Sequence, residues 1–360
     1  MKKKLAAAII IMYVICLLFC GDGIGKRFWE AHFPDLTYSK SDDKESDDKK
    51  EIIEDETTTG SILTYDELAA MENENATAKN GQQMDQDQLA IVSENSADFE
   101  AAQKENAAQT TLPDMDFDYI VKNFYQVDKT TYIGEDELNV NNLLGQDMTI
   151  EKSQDGPDIL IYHTHSQEGY ADSVSTDESE TVVGLGDKLE ELLTQQYGYK
   201  VLHHKGKYDV GDRDHAYSHA LPEITQIIND NPSIKVVIDL HRDGVAETTR
   251  LATTVDGKPT AQIMFFNGLC RTSARGTIDS LPNQYLEQNL AFSFQMQLAA
   301  NQYYPGLTRR IYLQGYRYNM HLCPQSLLVE VGAQTNTKEE AYNAMYPLAD
   351  ILDKVLKKDK

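Results

Sequence analysis

The chain has 360 residues, enough for one large domain or two ordinary ones, and 41% of them are hydrophobic. Its formal net charge of −25 excludes nucleic acid as the partner, because nothing would neutralise the phosphates. A mean hydropathy of −0.50 beside that apolar share points to a globular part diluted by a very polar one.

The polar part comes first. Lys2, Lys3 and Lys4 precede an apolar run from Leu5 to Cys20, broken only by Tyr13. A spanning helix needs about 20 residues, though about 17 suffice. No small-x-small cleavage site follows, so the run is expected to be a retained anchor and not a cleaved signal peptide. The leading lysines place residues 1–26 as a short cytoplasmic end plus transmembrane helix, and all that follows outside the cell membrane in a single-pass arrangement. Residues 27–112 read as a disordered linker. Acidic residues from Asp42 to Glu56 crowd its first part and Gln, Asn, Ala and Ser its second, too little apolar surface to offset the entropy of ordering.

Residues 113–360 carry the folded domain. Phe117, Tyr119, Ile120, Phe124 and Tyr125 predict a short amphipathic lead-in. Pro157 then precedes Ile159-Leu160-Ile161-Tyr162, an apolar run of the kind a buried parallel strand needs. Val183, Leu185, Leu189, Leu192 and Leu193 recur at helical spacing, and 200–203 follows as a strand. Ala216 to Ile228 predicts a helix, 234–240 a strand dense in β-branched residues, and 262–266 another. A long helix over 281–303, a strand at 327–331 and a helix over 338–357 complete the pattern. Strands and helices alternating at this pace predict an α/β domain, a mostly parallel twisted sheet flanked by helices.

In open sheets of this kind ligands gather beyond the carboxyl ends of the strands. There the first strand delivers His163, Thr164, His165 and Glu168, and the strand 234–240 delivers His241 and Arg242. The strand 327–331 carries Glu330, a carboxylate costly in an apolar strand unless paired or metal-linked. His165, Glu168 and His241 supply three zinc ligands with one position open, and Glu330 the general base, a set suited to hydrolysis of an amide. His163 is expected to orient a ligand. Arg242 orients a ligand or a substrate carboxylate, or forms an ion pair with Asp243 or Asp239. His321 precedes Glu330 in a loop, either near the cleft or as an ordinary loop residue. His215 and His219 share a helical face but lack the adjacent glutamate of zinc proteases, so a solvated face is expected. Cys270 and Cys323 form either a disulfide or two buried thiols.

The segments 159–168 (ILIYHTHSQE), 236–244 (VVIDLHRDG) and 327–332 (LLVEVG), followed by Asn336-Thr337 and Glu339-Glu340-Ala341, closely resemble the stage II sporulation protein P family, over roughly residues 113–357. More distantly the chain is similar to zinc N-acetylmuramoyl-L-alanine amidases with a phosphorylase/hydrolase-like sheet. The resemblance implies a peptidoglycan hydrolase of forespore engulfment with amidase activity and endopeptidase activity on stem-peptide crosslinks. It implies stage II sporulation proteins D and M as partners. It matches His165 and His241 to metal histidines and Glu330 to the catalytic glutamate. In the broader amidases the third ligand is a later glutamate, which leaves Glu178 and Glu180 open beside Glu168. Two other readings stand: a zinc carboxypeptidase, which needs an arginine for the substrate carboxylate, and a tethered non-catalytic wall-binding module.

Overall fold

A computed structural model describes residues 115–174 and 177–358. The anchor, the linker and the first residues of the expected domain lie outside the described residues. Within the described residues no helix is long and apolar enough to cross a membrane.

Helix α1 (Phe117–Phe124), capped by Asp116, leads into the short strand β1 (Tyr125–Val127). The helix α2 (Val140–Gly145) follows, then β2 (Ile159–Tyr162), with all four residues buried. Thr181 caps α3 (Val182–Gln195), which returns the chain to β3 (Val201–His203). Helix α4 (Ala216–Asp230) precedes β4 (Val236–Asp243). The strand therefore runs on through His241 and Arg242, which sequence placed just beyond it. A hairpin of β5 (Ala252–Val255) and β6 (Lys258–Ala261) leads to β7 (Ile263–Gly268). The small pair β8 (Arg271–Thr272) and β9 (Gly276–Thr277) precedes α5 (Leu286–Tyr303) and β10 (Ile311–Gln314). Last come β11 (Gln325–Ala333) and α6 (Lys338–Leu356), the latter fixed by a capping box between Thr337 and Glu340.

Seven strands form one sheet in the order β1-β10-β7-β11-β4-β2-β3. β11, β4, β2 and β3 are mutually parallel, as are β1, β10 and β7, but β7 meets β11 antiparallel. Five of the six strand pairs are parallel, as expected of a mostly parallel sheet, and the single antiparallel pair β7–β11 makes the sheet mixed. The reason lies in the hairpin β5–β6, which turns the chain between β4 and β7 without a helical crossover.

Period-two alternation divides the strands between two faces. Ile159, Ile161, Val236, Ile238, Leu240, Leu327 and Val329 pack into the main core with α3, α5 and α6. Leu160, Tyr162 and Val237 face the other way against Ala216, Ala220 and Ile224 of α4. Asp239, His241 and Glu330 follow the same alternation onto that second, less thickly covered face. Gly332, at φ +60°, ends the regular β11–β4 ladder with a register shift just after Glu330. Cys270 and Cys323 are buried thiols, not joined by a disulfide.

Candidate metal centre

Because β2, β4 and β11 are parallel and adjacent, their carboxyl ends open on one edge of the sheet. His165 and Glu168 come from the loop after β2, His241 from β4, and Glu330 lies opposite His241 in the β11–β4 register. All four are buried, and all four line one cleft. His165 Nδ1 lies 3.7 Å from Glu168 Oε1 and His241 Nδ1 lies 3.3 Å from Glu168 Oε2. One donor atom from each of His165, Glu168 and His241 falls within 4.8 Å of the others, so a single ion could touch all three.

The surroundings set the charge of each group. Burial pushes the His165 imidazole down to about 3, so it is neutral, and its buried Nε2 has no hydrogen-bond partner. Burial alone would raise the Glu168 carboxyl. The contact with His241 and the charges of Arg242 and His241 outweigh it and hold Glu168 well below the usual carboxylate range. Burial likewise opposes the charged form of His241, yet Asp239 and Glu168 keep its pKa well above the ordinary value. A neutral imidazole with an unsatisfied nitrogen, an ionised carboxylate and a second imidazole form a donor set that fits zinc. A cation bound there would compete with the proton on His241.

The supporting groups differ from those expected. Asp239 Oδ1 lies 2.7 Å from His241 Nε2, an ion-pair distance although not a well-aligned hydrogen bond. The same carboxylate accepts from Thr164 N at 2.9 Å and Thr164 Oγ1 at 2.6 Å, which ties the loop after β2 to β4. Asp239 is therefore the group that orients His241 and leaves Nδ1 facing Glu168. Its sequence signal was the D-x-H spacing, which puts both side chains on one face of a strand. Arg213 was also missed; its Nη2 donates to Glu168 Oε1 at 2.7 Å.

His163 does not serve a ligand directly. Its Nδ1 lies 2.8 Å from Leu240 O and its Nε2 2.8 Å from His203 Nε2. A carbonyl only accepts, so Nδ1 donates and Nε2 must accept from His203, whose Nδ1 faces Asp187 at 2.9 Å. Arg242 forms no side-chain ion pair with Asp239 or Asp243. Its backbone N donates to Glu168 Oε2 at 3.0 Å, while its side chain donates to the carbonyls of Gly169 and Asp243. His321 lies in the 3-10 turn Met320–Leu322, and is not among the residues lining the cleft. Glu178 pairs with Lys207 and Glu180 with Lys338, so neither stands with the histidines. His215 and His219 are about half exposed and face Asp212. Asp187, Glu190 and His203 also come within ligand reach of one another, but Lys205 occupies Asp187 at 2.6 Å.

The fold and this cluster define an α/β protein with a candidate metal centre at the carboxyl edge of its sheet. Residues 38–353 match the family described as Stage II sporulation protein P (SpoIIP), and the chain belongs to that family. A curated relative, Stage II sporulation protein P of Bacillus subtilis (strain 168), is 23% identical over 219 residues, which cover 55% of this chain and 50% of that protein. The chain thus spans about half the length of the curated relative it matches. Solved structures with some similarity include the catalytic domain of CwlV, an N-acetylmuramoyl-L-alanine amidase from Bacillus (Paenibacillus) polymyxa var. colistinus. It is 15% identical with a TM-score of 0.29, over 55% of this chain and 95% of that one. The N-acetylmuramyl-L-alanine amidase Ami1 from Mycobacterium smegmatis is 15% identical with a TM-score of 0.33, over 56% and 99%.

Proposed function

We propose that this chain is a zinc-dependent peptidoglycan hydrolase of sporulation, an N-acetylmuramoyl-L-alanine amidase with endopeptidase activity on stem-peptide crosslinks. The observation that carries the reading is the buried triad of His165, Glu168 and His241 with Glu330 beside it in one cleft. Membership of the sporulation family supports the biological setting. The partners are peptidoglycan and, by family likeness, stage II sporulation proteins D and M. The apolar run at residues 5–20 anchors the protein in the cell membrane with its catalytic domain outside.

His165, Glu168 and His241 would hold the zinc. When bound, such an ion supplies Lewis acidity, activating water and polarising a carbonyl. Asp239 keeps the His241 ring in the orientation that turns Nδ1 toward Glu168. The backbone N of Arg242 and the guanidinium of Arg213 each donate to one Glu168 oxygen and so fix the orientation of its carboxylate. Glu330 takes the proton of the attacking water at a carboxylate oxygen and delivers it to the leaving amine. Tyr170 donates from its hydroxyl to Val331 O at 3.1 Å, bracing β11 next to Glu330.

Mass analysis of the products from purified cell wall tests the reading. New N-terminal alanines with lactyl ends free mark an amidase, and cut crosslinks mark an endopeptidase. Release of only a C-terminal residue would replace both with a carboxypeptidase, a reading favoured by the presence of an arginine, Arg213, in the cleft. Intact wall after incubation with zinc-loaded protein would leave a binding module.

A further inference from the structure

We propose that Arg213 is a substrate-carboxylate clamp, so that the cleft prefers peptides with a free carboxylate within two residues of the scissile amide. This rests on the amide-hydrolase reading above and names its substrate class more closely. Arg213 opens the 3-10 turn Arg213–His215 on the loop leading into α4, and it lines the cleft. Its side chain is 34% exposed, whereas Glu168 and His241 are 4% exposed. It is thus a charged group of the cleft that an incoming ligand can reach before the buried cluster.

A guanidinium has five N–H donors in a planar fork that matches a carboxylate. In Arg213 one of them, from Nη2, serves Glu168 Oε1 at 2.7 Å. Nη1 stands 3.7 Å from Asp209 Oδ2, beyond hydrogen-bond range. Donors therefore remain for a ligand. The neighbouring arginines are committed otherwise. Arg242 donates to the carbonyls of Gly169 and Asp243, and both Nη atoms of Arg309 donate to Asp243 Oδ2.

Two carboxylates already flank Arg213, but each has other partners, so neither takes up the whole fork. Asp209 accepts from Ser166 Oγ at 2.8 Å and Gln167 N at 3.0 Å. Glu168 accepts from Arg242 N and faces His241. Consecutive Cα atoms are about 3.8 Å apart. Nη2 is 2.7 Å from Glu168 Oε1, and the Glu168 oxygens are 3.7 Å from His165 Nδ1 and 3.3 Å from His241 Nδ1, a path that places a carboxylate on Arg213 about one or two residues from an amide seated over the histidines.

The test uses the full-length zinc-loaded protein and two synthetic N-acetylmuramoyl tripeptides that differ only in whether the second residue carries a free carboxylate or its carboxamide. Binding is read by calorimetry, hydrolysis by mass spectrometry, and zinc content by elemental analysis. The wild type should prefer the free acid by about ten-fold or more in Kd, the scale of one charged hydrogen-bonded pair. In Arg213→Gln the ratio should fall to near one, and Arg213→Lys should recover part of it. Arg213→Gln keeping the preference would overturn the proposal. So would equal weakening of both ligands together with loss of zinc, which would make Arg213 only a positioning residue for Glu168. Arg213-dependent binding of the free acid with no hydrolysis of either peptide would leave the clamp standing and sink the amidase reading.

Discussion

Replacing Asp239 with asparagine separates charge from shape at the candidate metal centre. The buried Asp239 carboxylate contacts His241 Nε2 at 2.7 Å and accepts two bonds from Thr164, at 2.9 and 2.6 Å. An asparagine keeps Oδ1 for Thr164 N and offers Nδ2 to the Thr164 hydroxyl, which can rotate to accept. No hydrogen-bonding group is orphaned. The loss is the difference between charged and neutral hydrogen bonds, about 1 kcal/mol for each of two bonds, so roughly 2 kcal/mol of stability. Zinc affinity should fall by about 10–100-fold, the usual worth of a group that orients a ligating histidine. That corresponds to about 1.4–2.7 kcal/mol. Alanine instead strands Thr164 N and His241 in a buried site, and should cost more than 3 kcal/mol. Competition with a chelator of known affinity reads the first quantity, and urea unfolding of the zinc-free protein reads the second. An asparagine variant with unchanged zinc affinity and lowered stability would refute the claim that Asp239 tunes the metal and reduce it to a loop tie.

Other expectations follow from the same geometry. Glu330→Gln should keep its zinc and its fold while wall hydrolysis falls by about 10²–10⁴-fold, whereas Glu168→Gln should lose affinity and rate together; zinc content and product release on both variants decide whether those roles are reversed. Gly332→Ala should destabilise by about 2–4 kcal/mol in urea melts, since φ is +60° and an added Cβ would lie 2.7 Å from Asn336 Oδ1 and 2.9 Å from Ala261 Cβ. Burial pushes both His163 and His321 down to about 3, well below the ordinary histidine value. Below about pH 6.5 the unfolded chain binds protons that these folded rings and His165 exclude, which outweighs the opposite effect of the raised His241, so the urea midpoint should fall from pH 7 to pH 4 and fall less in His321→Gln; a slope unchanged in that variant would mean that the His321 ring is protonated in the fold.

The sequence by itself determined most of the local structure and the chemistry of the edge. Runs such as Ile159–Tyr162, bounded by Pro157 and a polar turn, permit little but a buried strand. Helical spacing in 183–193 and 338–357 likewise leaves one amphipathic solution. A carboxylate such as Glu330 inside an apolar strand is costly enough to stand out, and with His165 and Glu168 after one strand and His241 at the end of another it made the set legible together, not one by one. Only the tertiary structure decided which of them share a cleft, because adjacency of β2, β4 and β11 is a matter of long-range pairing that no local window encodes. The reversed direction of β7, itself expected as a strand at 262–266, and the weakly patterned strands β1 and β10 escaped notice for the same reason. Ligand support was equally nonlocal. His163 sits two residues from His165, yet the alternation of β2 and the approach of α3 and β3 turn it toward His203. Asp239 and Arg213 reach the site from 74 residues later than His165 and from a separate loop, and their roles exist only where the folded chain brings their charges within 3 Å of His241 and Glu168.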